Sequence, residues 1–447
     1  MRIYINYNDI NHMKMFKLTL LGLFCLTVFS FKVKAKPWTL DQCLEYARDN
    51  NKELLAKNEG LNRAGKERKS SWARLAPEIE GTAAVDHYWQ IPVQVLPGEL
   101  LGQPGTFIPV RMGTPWMGNV GIEGRLRLLD ATVWQDIRLA SLQEQVSGRE
   151  VQSLEKVLLK NVRMAYYNVQ QQNANLSKAR QLYDNYADIH RLLQLQFEQG
   201  LTDQISINQS SSLLKDREEI LSRSETDLQS AYLDLKFWMG YPLHEDLSIS
   251  VQRDLDHFEA GDYDASLLPD YQLRQFNVAL VRQRYRAAFS YLYPSLHLTS
   301  SVRRLGFGDG MNFITDSEWF TSGFVGVQLR VPIFSMSNMF YQTSVQKSFW
   351  KQAELEFSAY QEQQKQQFLK EELRLREAWQ SVERQRRKVE LARENEQLSI
   401  LKIESGIIDM IQLRQIQQDL LQARERLNQA ELSYLQHYVE LNYLQNQ

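Results

Sequence analysis

Residues 197–210 read FEQGLTDQISINQS, and residues 403–416 read IESGIIDMIQLRQI. Each stretch sets a glycine three residues before an aspartate, Gly200 with Asp203 and Gly406 with Asp409. A helical pattern enters each stretch and another leaves it. Glycine reaches positive φ without a Cβ clash and so ends a helix. The aspartate can then cap the following helix by accepting from its free amides. Asp409 with Gln412 fits a capping box. Each Gly-x-x-Asp is therefore read as the tip of an antiparallel helical hairpin, either a tight turn alone or a contact point at the end of a rod.

Working outward, the two tips lie in register. Ile207, Leu214, Leu221, Leu228 and Leu235 recur every seven residues, and the same steps after Gly406 give Leu413, Leu420, Leu427, Tyr434 and Leu441. Sevenfold spacing over several heptads is a coiled-coil seam. Before the first tip, residues 131–199 contain no proline and one glycine, Gly148. Leu158, Val162, Ala165, Val169, Leu176, Ala179, Tyr183, Tyr186, Leu193 and Phe197 follow steps of three and four, or their sums. Residues 337–405 are the counterpart, and at 1.5 Å per residue each run reaches about 100 Å. The chain thus divides into two internal repeats, 36–240 and 271–447. An acidic inter-repeat segment, 241–270, lies between them. Each repeat is a helix, a strand pair, a long helix, a tip and a returning helix.

The strand pairs show period two. Ile79, Gly81, Ala83, Val85 and Trp89 oppose Glu78, Glu80, Thr82, Asp86 and Tyr88. Val120, Ile122, Leu126 and Leu128 oppose Glu123, Arg125 and Arg127. In the second repeat Leu296, Leu298 and Val302 oppose His297, Thr299, Ser301 and Arg303, and Val325, Val327, Leu329 and Val331 oppose Gln328 and Arg330. Such strands have one apolar and one polar face. A soluble sandwich would turn the apolar face inward; a membrane barrel would turn it to lipid and leave the charges to line a wet lumen. Trp89, Trp116, Trp319 and Phe320 gather by the connections, with Tyr291 and Tyr293 at the opposite end, as interfacial girdles do. Four strands cannot close a barrel in lipid, so the membrane reading requires an oligomer, and three copies supply twelve strands. The connection 91–118, rich in proline and glycine, and the connection 304–319 suit outer loops.

The net charge is −2, which gives no bulk electrostatic case for nucleic acid. At the N-terminus Lys14 and Lys17 precede the apolar run 18–31, and Val33-Lys34-Ala35 ends on a small residue. This predicts a signal peptide over 1–35, with Met13 or Met15 as alternative starts. Leu23 and Phe24 are too bulky for lipoprotein cleavage before Cys25. Cys43 then stands alone, without a disulfide partner. No catalytic or metal constellation is found, since there is no His-Glu-x-x-His, Cys-x-x-Cys, Walker loop or nucleophile elbow. The expectation is no enzyme, no cofactor and no metal.

The opening WTLDQCLEYARDNNKEL (38–54), the duplicated order of strand pair, long helix and hydrophobic-x-x-Gly tip, and the returning helices resemble the TolC-like outer membrane efflux protein family over the whole mature chain. The resemblance implies a mainly α fold with a β-barrel. Long antiparallel coiled-coil helices would form a trimeric α-barrel tunnel joined to a 12-stranded membrane β-barrel, with four strands per chain. It further implies a homotrimer in a Gram-negative outer membrane, with a large periplasmic portion. Its partners would be outer membrane lipid, a periplasmic adaptor (membrane fusion) protein and an inner-membrane RND or ABC transporter. The chain would be the outer membrane channel of a tripartite efflux or type I secretion system, a passive exit duct. The alternative is an exported periplasmic coiled-coil scaffold.

Candidate adaptor contacts are Phe197, Gly200, Leu201, Asp203, Ile403, Gly406, Ile407 and Asp409. Candidate lumen residues are Glu78, Glu80, Asp86, Glu123, Arg125, Arg127, Arg303 and Arg330. Where the family carries aspartates at the tunnel entrance, this chain has Ser206, Gln209, Gln412 and Gln415, so an acidic, cation-blocked constriction is not expected.

Overall fold

The computed structural model describes residues 37–102, 104–250, 261, 263–310, 312–316, 318–333, 336–404 and 410–445. The signal segment, Gly406, Ile407 and Asp409 lie outside the described residues, as do the side chains of Ile403 and Gln412.

Helix α1 (Leu40–Asn50) opens on a capping box: Thr39 Oγ1 accepts from the Gln42 amide, and Gln42 returns a bond to the Thr39 amide. Asn51 separates α1 from α2 (Lys52–Ala73) and caps α2 by accepting from the Glu53 and Leu54 amides at 3.0 and 3.1 Å. Then follow β1 (Glu78–His87), β2 (Val93–Pro97), β3 (Phe107–Arg111) and β4 (Trp116–Leu129). The long helix α3 (Ala131–Glu198, 68 residues) turns back into α4 (Gln204–Met239, 36 residues). The second half repeats the order: α5 (Pro269–Ala288), β5 (Ser295–Gly308), β6 (Trp319–Arg330), α6 (Met336–Glu404, 69 residues) and α7 (Met410–Gln445, 36 residues).

Strands β1, β4, β5 and β6 form one antiparallel sheet in the order β1-β4-β5-β6, with β1 and β6 at its edges. Sequence had made the connection 91–118 a loop; it carries the separate hairpin β2–β3. Its prolines and glycines mark the ends of two short strands rather than their absence.

The core sits at the middle of the rod, where α1, α3 and α4 meet. Cys43, Ala47, Val162, Val169, Leu235 and Met239 are sealed there. In the second half Phe368, Val382, Tyr434, Leu441 and Leu444 pack between α6 and α7. Leu235 and Leu441, equivalent seam positions of the two repeats, are both fully buried. Gly240 ends α4 at φ 71°, and a Cβ there would meet the Asn50 carbonyl oxygen at 2.5 Å. Asn51 Nδ2 donates to the Trp238 carbonyl, so one side chain serves both the end of α4 and the start of α2.

Candidate functional site

The sheet register puts all eight predicted lumen residues on one face. Glu78 faces Arg125 and Glu80 faces Glu123 across β1 and β4. Glu123, Arg125 and Arg127 face Ser301, Thr299 and His297 on β5, where Arg303 is two residues beyond Ser301. Arg330 faces Ser295 across β6. Asp86 keeps the parity of Glu78 and Glu80. Two diagonal ion pairs cross this face, Arg127–Glu78 at 2.8 Å and Arg303–Glu123 at 2.7 Å. The eight residues are four acids and four arginines, so the face is charged but nearly neutral in sum.

The opposite face is apolar and uncovered. Ile79, Ile122, Val302, Val325, Val327 and Leu329 are each more than half exposed, Val325 by 74%. In a sandwich such residues pack against a second layer, and burying them would yield roughly 1.5–3 kcal/mol apiece. Among the described residues no layer covers them. Trp116 and Trp319 lie on this face at the hairpin end, but Phe320 does not. It pairs with Leu305 on the charged face and lies 6.3 Å from Phe307, which corrects its place among the girdle aromatics. A bulge between Arg127 and Leu129 brings Leu129 opposite Leu296, so Leu128 is the extra residue of the strand. Arg304 is the one arginine of β5 on the apolar side, opposite Val120 and Thr321 near the hairpin end. There a long side chain can reach water.

The first tip has the expected construction. Gly200 sits at φ 71°, its amide donates to the Phe197 carbonyl at 2.9 Å, and the Leu201 amide reaches Gln196 at 2.8 Å. Asp203 Oδ1 accepts from the Ser206 amide at 2.8 Å, and hydrogen bonding from the Ser206 side chain, then from its amide, holds the Asp203 carboxyl below the usual range. Phe197 and Leu201 are exposed, Leu201 by 72%, and so is Ile205, which sequence reading had not chosen. Among the entrance candidates Ser206 is half-buried beside its cap, Gln209 is exposed, and exposed Gln415 donates to Asp419 at 3.2 Å.

Between middle and tip, polar side chains tie α3 to α7. Lys178 pairs with Glu425, and Gln418 bonds the Tyr186 hydroxyl, over whose ring Arg217 of α4 lies at 5.1 Å. His190 Nδ1 meets Ser210 Oγ at 2.8 Å. The heptad pattern marked Tyr186 only as a seam residue; its partners come from sequence-distant helices, and no local signal names them. Among the described residues no cluster of histidine, cysteine and carboxylates could hold a metal ion. No described helix is long and apolar enough to cross a membrane.

Residues 43–241 match the outer membrane efflux protein family. Proteins of this family are transport channels, not enzymes. Among solved structures, the Campylobacter jejuni CmeC outer membrane channel superposes with a TM-score of 0.74 at 14% identity, over 91% of this chain and 85% of that one. The open state of the Neisseria gonorrhoeae MtrE outer membrane channel gives 0.72 at 15%, over 91% and 88%. The Vibrio cholerae outer membrane protein VceC gives 0.68 at 13%, over 91% and 95%. No curated protein sequence matches the chain. At these identities the structures establish a shared fold over 91% of the chain, and the family resemblance read from the sequence stands.

Proposed function

We propose that this chain is an outer membrane channel, a passive exit duct for substrates expelled by an inner-membrane pump in a tripartite efflux or type I secretion system. The observation that carries the reading is the open sheet: one apolar face without cover, one charged face, and two free edges, fused to helices of about 100 Å. The four strands alternate in direction, so β6 of one copy runs antiparallel to β1 of the next. Three copies then close twelve strands. Closure removes every unpaired edge, which lipid does not tolerate. Strands of 10–14 residues, tilted as in membrane barrels, span the hydrocarbon layer.

The family match and the shared fold support the channel role and a Gram-negative outer membrane location. The finer assignment is ours: repeats 36–240 and 271–447 flank an equatorial segment, 241–270. The eight charged residues line the barrel and, by their mixed signs, give weak charge selectivity. Phe197, Leu201, Ile403 and Ile407 around the two glycines meet the helical hairpin of a periplasmic adaptor. The test is reconstitution of the purified protein into planar bilayers together with cross-linking in outer membrane extracts. Discrete conductance and a cross-linked trimer are expected. A soluble single-copy protein that never inserts would restore the scaffold alternative. At the tips, Gly406→Val is expected to impair efflux while leaving the trimer intact; wild-type efflux in that variant would refute the tip assignment.

A further inference from the structure

At mid-height of the rod, where α5 begins and α7 ends, a cavity of about 400 Å³ opens between them, α1 and α3. Four cations line it: Arg48 of α1 and Lys156, Lys160 and Arg163 of α3. Two already have carboxylate partners, Arg48 with Glu155 at 2.9 Å and Lys160 with Glu440 at 3.1 Å. The other two have none among the described residues. Lys156 Nζ is buried and meets no acceptor, and Arg163 has no ion pair. A buried ammonium without a counter-charge is costly. Two neighbouring uncompensated cations raise that cost, because each repels the other.

A second feature points the same way. Pro269, the first residue of α5, lines the cavity, and the cap position, Leu268, offers no side-chain acceptor to the helix amides. The opening of the 20-residue α5 thus adds its positive dipole end. At the corresponding junction of the first half, Asn51 fills this role for α2. Tyr443 closes the side toward α7, with Lys160 Nζ over its ring at 4.4 Å. Asp270, in the first turn of α5, is 3.6 Å from Arg274 and accepts from Ser153, so it has other partners than Lys156.

We propose that this cavity binds a small oxyanion, a phosphate, sulfate or carboxylate group, between Lys156, Arg163 and the start of α5. The bound anion ties α3 to the α5–α7 junction and so joins the two halves of the chain. The site lies within one chain and stands whether or not the copies form a duct. Sulfate fits as the probe because its charge is constant across the pH range of interest.

The test is calorimetric titration of the detergent-purified full-length protein with sodium sulfate, against sodium chloride of equal ionic strength. Saturable binding of one sulfate per chain is expected. Lys156→Met and Arg163→Gln are each expected to weaken it by about tenfold or more, the scale of one charge-assisted hydrogen bond. Lys156→Met removes a buried charge and keeps the unbranched stem, one atom shorter, so it is expected to fold.

The Lys156 amine is pushed down to about 8 by burial and by Arg163. Sulfate affinity in the unaltered protein should therefore fall as pH rises through about 8, and this step should vanish in Lys156→Met. Around the cavity stand also Arg48, Glu155, Lys160, Asp270 and Glu440, with Tyr443, whose phenol burial raises to about 12. No saturable heat, or equal binding by protein and both variants, would mean an adventitious ion only and overturn the proposal.

Discussion

Asp203 and Gly200 make the tip a two-residue device. The left-handed glycine ends α3 and the aspartate starts α4. Asp203→Ala removes this cap and is expected to loosen the first turn of α4. It should speed amide exchange at Ser206 without disturbing the core, measurable by hydrogen–deuterium exchange. Gly240 is less forgiving, since its φ is positive and the Asn50 backbone fills the space a Cβ would need. Cys43 is sealed in the core and burial pushes its thiol up to about 12. The folded protein should resist iodoacetamide at pH 8.5 and react fully once denatured. The sign for stability follows: an unfolded thiol ionises from about pH 9, so Cys43 weakens the fold progressively from there to about pH 12.

At the scale of the element, the seam is graded. Leu235 and Leu441 are fully buried at mid-rod, whereas the seam residues Leu193 and Leu214 toward the tip are only half-buried and their off-seam neighbours Leu192, Leu195 and Leu213 are exposed. Near the tip α3 has little but α4 to cover it, while at mid-rod α1, α5 and α7 crowd round. Leu235→Ala is therefore expected to cost about 2–5 kcal/mol, and Leu213→Ala less than about 1 kcal/mol. Urea unfolding followed by circular dichroism would separate them. The strands were legible for a similar reason: period two assigned each residue of β1, β4, β5 and β6 to a face. It failed where the backbone departs from regularity. The bulge at Leu128 breaks the parity, and the hairpin β2–β3 hides among prolines and glycines that punctuate rather than exclude strands.

At the scale of the whole molecule, a single chain is incomplete. Among the described residues its sheet has two free edges and an uncovered apolar side, and its first hairpin tip shows Phe197, Leu201 and Ile205 to solvent. The proposed duct resolves these by surrounding the chain with further copies and a lipid layer. Val325→Asp, on the bare apolar face, is expected to lower the yield of heat-resistant trimers in outer membrane extracts several-fold. Arg330→Gln, on the charged face of the same strand β6, should leave that yield unchanged and alter only conductance. Equal effects of the two, read on gels of unheated extracts, would mean that both faces have the same surroundings.

The sequence by itself determined the elements and their order: heptads over 207–235 and 413–441, the first glycine tip with its aspartate cap, and alternating strands with charges on one side. These are local, because periodicity and capping depend only on neighbours along the chain. The tertiary structure alone decided which distant groups meet. It put Asn51 across the ends of two helices, Arg303 on Glu123, Gln418 on Tyr186, and Lys156 beside Arg163 with no carboxylate partner among the described residues. Such contacts depend on the register between helices and strands far apart in sequence, and that register is set by packing, which no local spacing encodes.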